Sequence, residues 1–248
     1  MTEEGDSVEI LAPFRAFFSL ERDVAVLSVA MLVFSLGFQM TNQYFGLYLD
    51  ALGASAVIIG LYRSFSDLVG AIYPYAGGVV SDWVGSRTAL TAFGLASSVG
   101  FGIWALAPEL AVFGVPGWVY LFAGLLLAQA WKSFGLGATF AIVKQSVPPA
   151  QLASGFASTE VFRRTGFLLG PVLGAVVIEQ VTPFVRGFQA VLLLAVVFGL
   201  LATVAQSRLY DSSNDTYGKA FKGFVIIKRD LAAMPAPLRP LLLGDTLI

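Results

Sequence analysis

Hydrophobic residues occupy most of the chain in long stretches that are separated by short polar gaps. A helix needs roughly 20 apolar residues to cross a bilayer. Six stretches reach about this length, at residues 24–48, 56–80, 88–107, 118–142, 159–181 and 187–206. The gaps between them carry turn-forming residues such as Gly53, Gly85, Pro116 and Pro183. The pattern predicts an all-α integral membrane protein with six transmembrane helices.

This pattern divides the chain into four parts. Residues 1–23 are polar and acidic, which predicts a cytoplasmic amino-terminal segment rather than a cleaved signal peptide, because a signal peptide begins with basic residues. Residues 24–206 form the six-helix transmembrane domain. Residues 207–237 are polar and basic, which fits either an amphipathic helix on the inner membrane surface or a cytoplasmic linker. Residues 238–248 are apolar again but too short to span, and we expect them to be the truncated start of a seventh helix.

The composition agrees with a membrane protein and excludes several kinds of chemistry. Hydrophobic residues make up 57% of the 248 residues and charged residues only 12%, where a soluble domain has about 25% charged residues. The chain contains no Cys and no His, which excludes disulfides, Cys/His metal sites and histidine acid–base catalysis. No Gly-x-Ser-x-Gly motif or nucleotide-binding loop is present. We therefore expect no cofactor, no metal and no enzymatic activity, and the net charge of -1 argues against a nucleic-acid partner.

The basic residues of the gaps predict the orientation. Cytoplasmic segments of membrane proteins are enriched in Lys and Arg. If the amino terminus is inside, the opposite gaps contain only Arg186, whereas the cytoplasmic segments contain Arg15, Arg22, Arg87, Lys144 and Arg208. We therefore expect both ends of the domain to be cytoplasmic, in a plasma membrane.

The gap between the second and third predicted spans carries a distinctive motif, Gly78-Val-Val-Ser-Asp82-Trp-Val-Gly85-Ser-Arg87. It resembles the signature of the loop between helices two and three in the major facilitator superfamily, although Trp83 stands where that family usually has a basic residue. The resemblance implies the amino-terminal half of that fold, built as two inverted repeats of three helices. It also implies close packing at Gly78, a tight turn at Gly85, and interfacial charges at Asp82 and Arg87.

The fifth predicted span carries a second motif, Gly166-Phe-Leu-Leu-Gly170-Pro171-Val-Leu-Gly174-Ala175. It resembles the Gly-Pro signature on helix five that is common in the drug and proton antiporters of this superfamily, which often have a second Gly at the position of Ala175. Small residues four apart also allow two helices to approach closely without any role in antiport. The motif is therefore compatible with proton antiport and equally with plain helix packing.

Several polar side chains lie near the middle of predicted spans, where a charge costs about 2.5–3.5 kcal/mol. Such groups are expected to pair or to face a wet cavity. The candidates for a substrate and ion cavity come from the first, second and fourth spans and are Gln39, Asn42, Gln43, Arg63, Asp67, Gln129 and Lys132.

The charged members of this set suggest different roles. Arg63 and Asp67 lie four residues apart, so they share a helix face and are able to pair, which would make them either a structural ion pair or part of the cavity. Asp67 is the candidate proton-responsive acid. Arg63 and Lys132 are candidates to bind an anionic group of the substrate. On the fifth span, Glu160 with its two neighbouring arginines is expected to form an interfacial salt-bridge cluster.

These features together predict a secondary active transporter of a small solute that works by alternating access. The expected coupling ion is the proton, and the expected partners are the solute, the coupling ion, the lipid bilayer and a missing carboxy-terminal half. One alternative is a truncated half that transports nothing until it pairs with a second half. The other is a membrane channel, although no carbonyl filter of the Thr-Val-Gly-Tyr-Gly type is present.

Overall fold

The computed structural model describes residues 22–111, 114–146 and 152–209, and these residues contain helices and no strand. The helices are α1 (Arg22–Asn42), α2 (Phe45–Ala51), α3 (Ala56–Val84), α4 (Ser86–Leu110), α5 (Gly117–Ser146), α6 (Leu152–Gln180) and α7 (Phe184–Leu209). Residues 207–209 of the predicted linker belong to α7, and the rest of the linker, the predicted start of a seventh span and nearly all of the predicted amino-terminal segment lie outside the described residues.

Four of these helices are long and apolar enough to cross a membrane. They are the segments Ala56–Ser81, Arg87–Leu110, Gly155–Gln180 and Phe184–Arg208 within α3, α4, α6 and α7. The described part of the chain is therefore a multi-pass, all-helical membrane protein, as the hydrophobic pattern predicts. The count of six spans and their inverted repeat stay predictions.

The first predicted span, 24–48, is not one continuous helix. α1 ends at Asn42, residues 43–44 form a turn, and α2 begins at Phe45. The Tyr44 hydroxyl donates a hydrogen bond of 2.8 Å to the carbonyl oxygen of Pro171 on α6. The apolar pattern continues across this break, and only the polar residues around Asn42, which are weak helix formers, mark its position.

The two most buried spans, α4 and α7, pack against each other in antiparallel orientation. At one end, the Arg87 guanidinium donates to the carbonyl oxygen of Ser207. At the other end, Arg186 pairs with Glu109 at 2.9 Å. α4 also packs along α5, α1 packs along α6 and α7, and α3 packs along α5.

The helices differ strongly in how much of their surface the rest of the chain covers. The most apolar windows of α4 and α7 are 56% and 44% buried, whereas those of α3 and α6 are only 11% and 17% buried. The outer faces of α3 and α6 are thus the least covered surfaces of the four candidate spans.

An aromatic cluster joins α2, α4 and α7 near one end of the bundle. Phe45 packs against Tyr62, Trp104 and Phe188 with ring centroids 4.6–6.1 Å apart. The Tyr48 hydroxyl donates to the carbonyl oxygen of Trp104 at 2.9 Å. The Trp104 indole nitrogen donates to the carbonyl oxygen of Leu121 at 2.9 Å, so the polar tips of Tyr48 and Trp104 are both hydrogen-bonded, as is usual for buried rings of these types.

The glycine motif of the fifth predicted span lies directly against α1. A Cβ atom at Gly166 would lie 2.8 Å from the Cβ of Ser35, and one at Gly170 would lie 2.7 Å from the Cβ of Gln39. A Cβ at Gly174 would collide with the backbone of Met40. The glycines therefore allow α1 and α6 to pack backbone to backbone.

The motif of the second gap forms the junction of α3 and α4. Gly85 adopts φ 87°, which favours glycine, and it separates the two helices. Arg87 contacts α7, while the side chain of Asp82 lies outside the described residues. The close packing expected at Gly78 is absent among the described residues, because no atom comes within 4 Å of its Cβ position. Gly78 lies on α3, the span that the rest of the chain covers least.

Candidate functional site

Two cavities lie inside the bundle. The first, the Arg63 cavity, has a volume of about 460 Å³ including its open mouth. It lies among α1, α2, α3, α4 and α5. Its lining residues are Phe38, Thr41, Asn42, Phe45, Gly46, Leu49, Ile59, Tyr62, Arg63, Ser66, Trp104, Leu125 and Gln129.

Gln129 links two walls of the Arg63 cavity. Its amide nitrogen donates to the Ser66 hydroxyl at 2.6 Å and to the Ser66 carbonyl oxygen at 3.0 Å. This bond ties α5 to α3 at the cavity. The amide oxygen of Gln129 is buried and accepts no hydrogen bond from a described residue, so it is available to a ligand or to water.

The second, the Lys132 cavity, has a volume of about 620 Å³ including its open mouth. It lies among α1, α4, α5 and α6. Its lining residues are Met31, Phe34, Ser35, Phe38, Ser97, Phe101, Ala128, Trp131, Lys132, Arg163 and Phe167. Phe38 lines both cavities, so the two sites adjoin along α1.

Lys132 projects into this cavity without a carboxylate partner. Its ammonium nitrogen lies 4.6 Å from the centroid of the Phe38 ring. Within the described ranges it forms no hydrogen bond and no salt bridge. The nearby charges that act on it belong to Asp67, Arg163 and Arg63. Of these three charges, only that of Asp67 is negative.

Arg163 is the second cation of the Lys132 cavity. Its guanidinium forms two hydrogen bonds with Glu160, at 2.8 and 2.6 Å, and lies 4.8 Å from the centroid of the Phe167 ring. The neighbouring Arg164 also bonds Glu160, at 2.7 Å. The side chain of Arg163 is 23% exposed and that of Arg164 is 67% exposed, so only Arg163 faces inward.

The predicted site residues divide among these places. Asn42, Arg63 and Gln129 line the Arg63 cavity, and Lys132 lines the other. Gln39, Gln43 and Asp67 line neither cavity. Gln39 packs against Gly170 on α6, and Gln43 lies in the exposed turn after α1. The turn at residues 43–44 interrupts the first predicted span, 24–48, at Gln43.

The structural ion pair considered for Arg63 and Asp67 is not formed. Neither residue belongs to a salt bridge within 4.0 Å among the described residues. Their spacing of four residues permits a pair, but the long arginine side chain lines the Arg63 cavity instead. Asp67 remains exposed on α3.

The structure adds several cavity-lining residues that the sequence pattern does not indicate as functional. The sequence predicts Arg163 only as a member of a salt-bridge cluster, and it assigns no role to Phe34, Trp131 or Phe167. Phe34 and Trp131 stack with their centroids 3.8 Å apart and their planes 8° apart. One signal in the sequence was the spacing of Arg163 and Phe167, which places a cation and a ring on one face of α6.

Comparisons with known proteins support the fold. No family model and no curated protein matches the chain. Among solved structures, the crystal structure of the human organic anion transporter MFSD10 (TETRAN) matches with a TM-score of 0.59 and 19% sequence identity, over 79% of this chain and 48% of that chain. The chain thus spans about half the length of that transporter. This likeness shows a fold of the major facilitator type.

Proposed function

We propose that the chain forms the amino-terminal, six-helix half of a secondary active transporter that carries a small organic anion by alternating access. In such carriers the substrate binds near the bilayer midplane, between helices of two repeats. The likeness of the fold supports the mechanism. The human transporter of similar fold is an organic anion transporter by its own description, which agrees with the charge of the cavities in this chain.

The observation that carries the proposal is the concentration of positive charge in the bundle. Arg63, Lys132 and Arg163 project from three helices, α3, α5 and α6, into two adjoining cavities. A charge at the centre of a membrane costs about 2.5–3.5 kcal/mol, and neighbouring cations repel each other as well. An anionic solute in the cavity removes much of this cost, so the site favours an anion over a neutral or cationic solute.

The proposal includes coupling to protons through Asp67. Asp67 acts electrostatically on Lys132 and forms no salt bridge with a described residue. Protonation of this carboxylate strengthens the positive field around Lys132, and loss of the proton weakens it. Binding of the anion and binding of a proton therefore favour each other.

The proposal also includes a second half that covers α3 and α6. Both helices expose charged side chains among apolar ones, such as Asp67 on α3 and Arg164 on α6. Lipid does not tolerate such charges well, whereas a protein interface or a wet cavity does. α1 packs along α6, and α3 packs along α5. If the first three spans (α1 with α2, α3 and α4) and the last three (α5, α6 and α7) are repeats of each other, exchanging the repeats converts the first of these pairs into the second. This packing further supports an inverted repeat.

Transport in liposomes tests this function. The protein is produced from its native reading frame, reconstituted, and loaded with an unlabelled organic anion before labelled anion is added outside. A carrier shows saturable uptake that preloading stimulates, and tetraethylammonium, a cation, does not compete. A channel shows neither saturation nor stimulation, and a half that transports nothing shows no protein-dependent uptake at all.

The Lys132→Gln variant tests whether anion uptake depends on the Lys132 cavity. Loss of a charge-assisted hydrogen bond costs about 1.5–3 kcal/mol, which is roughly tenfold or more in affinity. We expect a corresponding rise in the half-saturating anion concentration for Lys132→Gln. The control is Arg186→Gln, which removes a cation near the amino-terminal end of α7. We expect it to leave uptake unchanged.

A further inference from the structure

We infer that the Lys132 cavity is a subsite for a planar aromatic carboxylate, with Lys132 and Arg163 on the carboxylate and the ring between aromatic walls. This inference rests on the proposed transport function and names the substrate class within it. It is carried by three separate features of the cavity: its two cations, one unpartnered buried donor, and its walls of rings.

Each of the two cations contacts the face of an aromatic ring and remains able to bind an anion. Lys132 contacts the face of Phe38, and Arg163 contacts the face of Phe167. A cation over an aromatic ring keeps most of its hydrogen-bonding capacity, because the ring attracts the charge without accepting its protons. Lys132 has no acceptor among the described residues, and Arg163 has only Glu160. Both cations are therefore able to donate to a carboxylate that enters the cavity.

The unpartnered donor is the indole nitrogen of Trp131. Trp131 is only 6% exposed, and its Nε1 atom is buried without a hydrogen-bond partner in the described part of the chain. A buried unsatisfied donor costs about 1–3 kcal/mol. Trp131 lines the same cavity as Lys132 and Arg163. A ligand oxygen that reaches this nitrogen would satisfy the indole donor.

The aromatic walls of the cavity favour a ligand that contains an aromatic ring. Phe34 stacks on Trp131, and Phe38 meets Phe101 edge to face with centroids 6.3 Å apart. Aromatic pairs in stacked or edge-to-face arrangements contribute beyond their buried area. A flat aromatic ring is therefore able to form stacked and edge-to-face contacts with the walls of this cavity. A flexible aliphatic chain would only bury apolar surface there.

Equilibrium binding to the purified full protein in neutral-lipid nanodiscs tests this subsite. The probes are 2-naphthoate, the uncharged 2-naphthamide, and octanoate, an anion without a ring. We expect saturable binding of 2-naphthoate with a Kd below about 1 mM, and at least roughly tenfold weaker binding of each of the other two probes. Equal binding of 2-naphthoate and 2-naphthamide overturns the inference, and so does the absence of 2-naphthoate binding.

Two adjacent arginines provide a matched pair of variants. Both Arg163 and Arg164 bond Glu160, but only Arg163 lines the cavity. We expect Arg163→Gln and Lys132→Gln to weaken 2-naphthoate binding roughly tenfold, while Arg164→Gln and the charge-preserving Lys132→Arg retain it. Trp131→Phe keeps a ring but removes the indole donor, and we expect it to weaken binding several-fold. Equal affinities of Arg163→Gln and Arg164→Gln overturn the inference.

Two further measurements separate the possible failures. Thermal stabilisation of each variant by 2-naphthoate shows whether a loss of binding reflects misfolding, because a folded variant without the site melts normally but gains no stability from the ligand. Competition by phosphatidylglycerol in the nanodisc identifies a lipid site and overturns the inference.

If anion uptake persists but 2-naphthoate binds equally to all variants, the subsite is wrong and the transport function stands. If binding follows the expected pattern but no anion is transported, the transport function fails and the site remains.

Discussion

Single polar side chains in this bundle differ in whether their hydrogen bonds are complete. Gln189 donates to the carbonyl oxygen of Ala105 and to both carboxylate oxygens of Glu109. The amide oxygens of Gln39 and Gln129, by contrast, are buried and accept no hydrogen bond from a described residue. An unpaired buried group costs about 1–3 kcal/mol, so these positions favour water or a ligand nearby. Gln189 therefore holds helices together, whereas Gln129 lines the Arg63 cavity, where function is expected.

Asp67→Asn is the residue-scale test of coupling. Asparagine matches the shape of a protonated aspartate but cannot release the proton. We expect accumulation of the anion driven by a pH gradient to fall to passive equilibration, whereas exchange of labelled for unlabelled anion continues. Asp50→Asn, which changes an exposed carboxylate at the end of α2, is the control and keeps both activities. Undiminished gradient-driven accumulation in Asp67→Asn would exclude this residue as the coupling acid.

At the scale of elements, α6 approaches the backbone of α1 closely. Both motifs that suggested the family contribute to the helix arrangement, since Gly85 forms the junction of α3 and α4 and Gly170 lies against the backbone of α1. Pro171, within α6, also accepts the hydrogen bond from Tyr44. The break between α1 and α2 and the glycine face of α6 are therefore in direct contact.

Gly170→Ala tests this contact. The added Cβ would lie 2.7 Å from the Gln39 Cβ and 3.0 Å from backbone atoms of α1, so α1 and α6 must move apart. Overpacking of this kind costs about 1–3 kcal/mol, and we expect a lower melting temperature in detergent. Gly102→Ala on α4 is the matched control, because no atom lies within 4 Å of its Cβ position. It should leave the melting temperature unchanged or raise it, and an equal effect of both changes would contradict the packing argument.

At the scale of the whole molecule, the exposed surfaces are of two kinds. α4 and α7 expose apolar residues and few charges, which suits contact with lipid. α3 and α6 expose apolar residues together with charges and are covered least by the rest of the chain. This difference supports a partner half on α3 and α6.

Cysteine labelling distinguishes these surfaces, since this chain has no cysteine of its own. Leu168 on α6 is 73% exposed and Leu201 on α7 is 60% exposed, so both would react if both faced lipid. In the native membrane protein, we expect a lipophilic maleimide to modify Leu201→Cys and to spare Leu168→Cys, as mass spectrometry of the labelled peptides would show. Equal labelling of the two positions would argue against a partner half on α6.

The two ends of α7 test the predicted orientation. Arg186 and Arg208 are both exposed and lie near opposite ends of this helix. The distribution of Lys and Arg predicts that Arg186 is outside and Arg208 is inside. An impermeant maleimide should label Arg186→Cys in intact cells, and it should label Arg208→Cys only after permeabilisation. The reverse result would invert the topology.

The sequence by itself determined the class of this protein. Long apolar runs and scarce charges require helices in lipid, because an unpaired backbone group in a membrane is too costly. The same runs located most of the helices, and two short motifs indicated the fold. Of the polar candidates in the predicted spans, Asn42, Arg63, Gln129 and Lys132 line the two cavities, and their role in transport stays a prediction.

The tertiary structure alone decided how these residues combine. The turn at residues 43–44 ends α1 and leaves Gln43 outside both cavities, and the rotation of α6 brings Arg163 rather than Arg164 into the Lys132 cavity. Two adjacent residues on a helix point about 100° apart, so their chemistry depends on the packing of that helix. Packing is a property of several helices together, and no single stretch of sequence contains it.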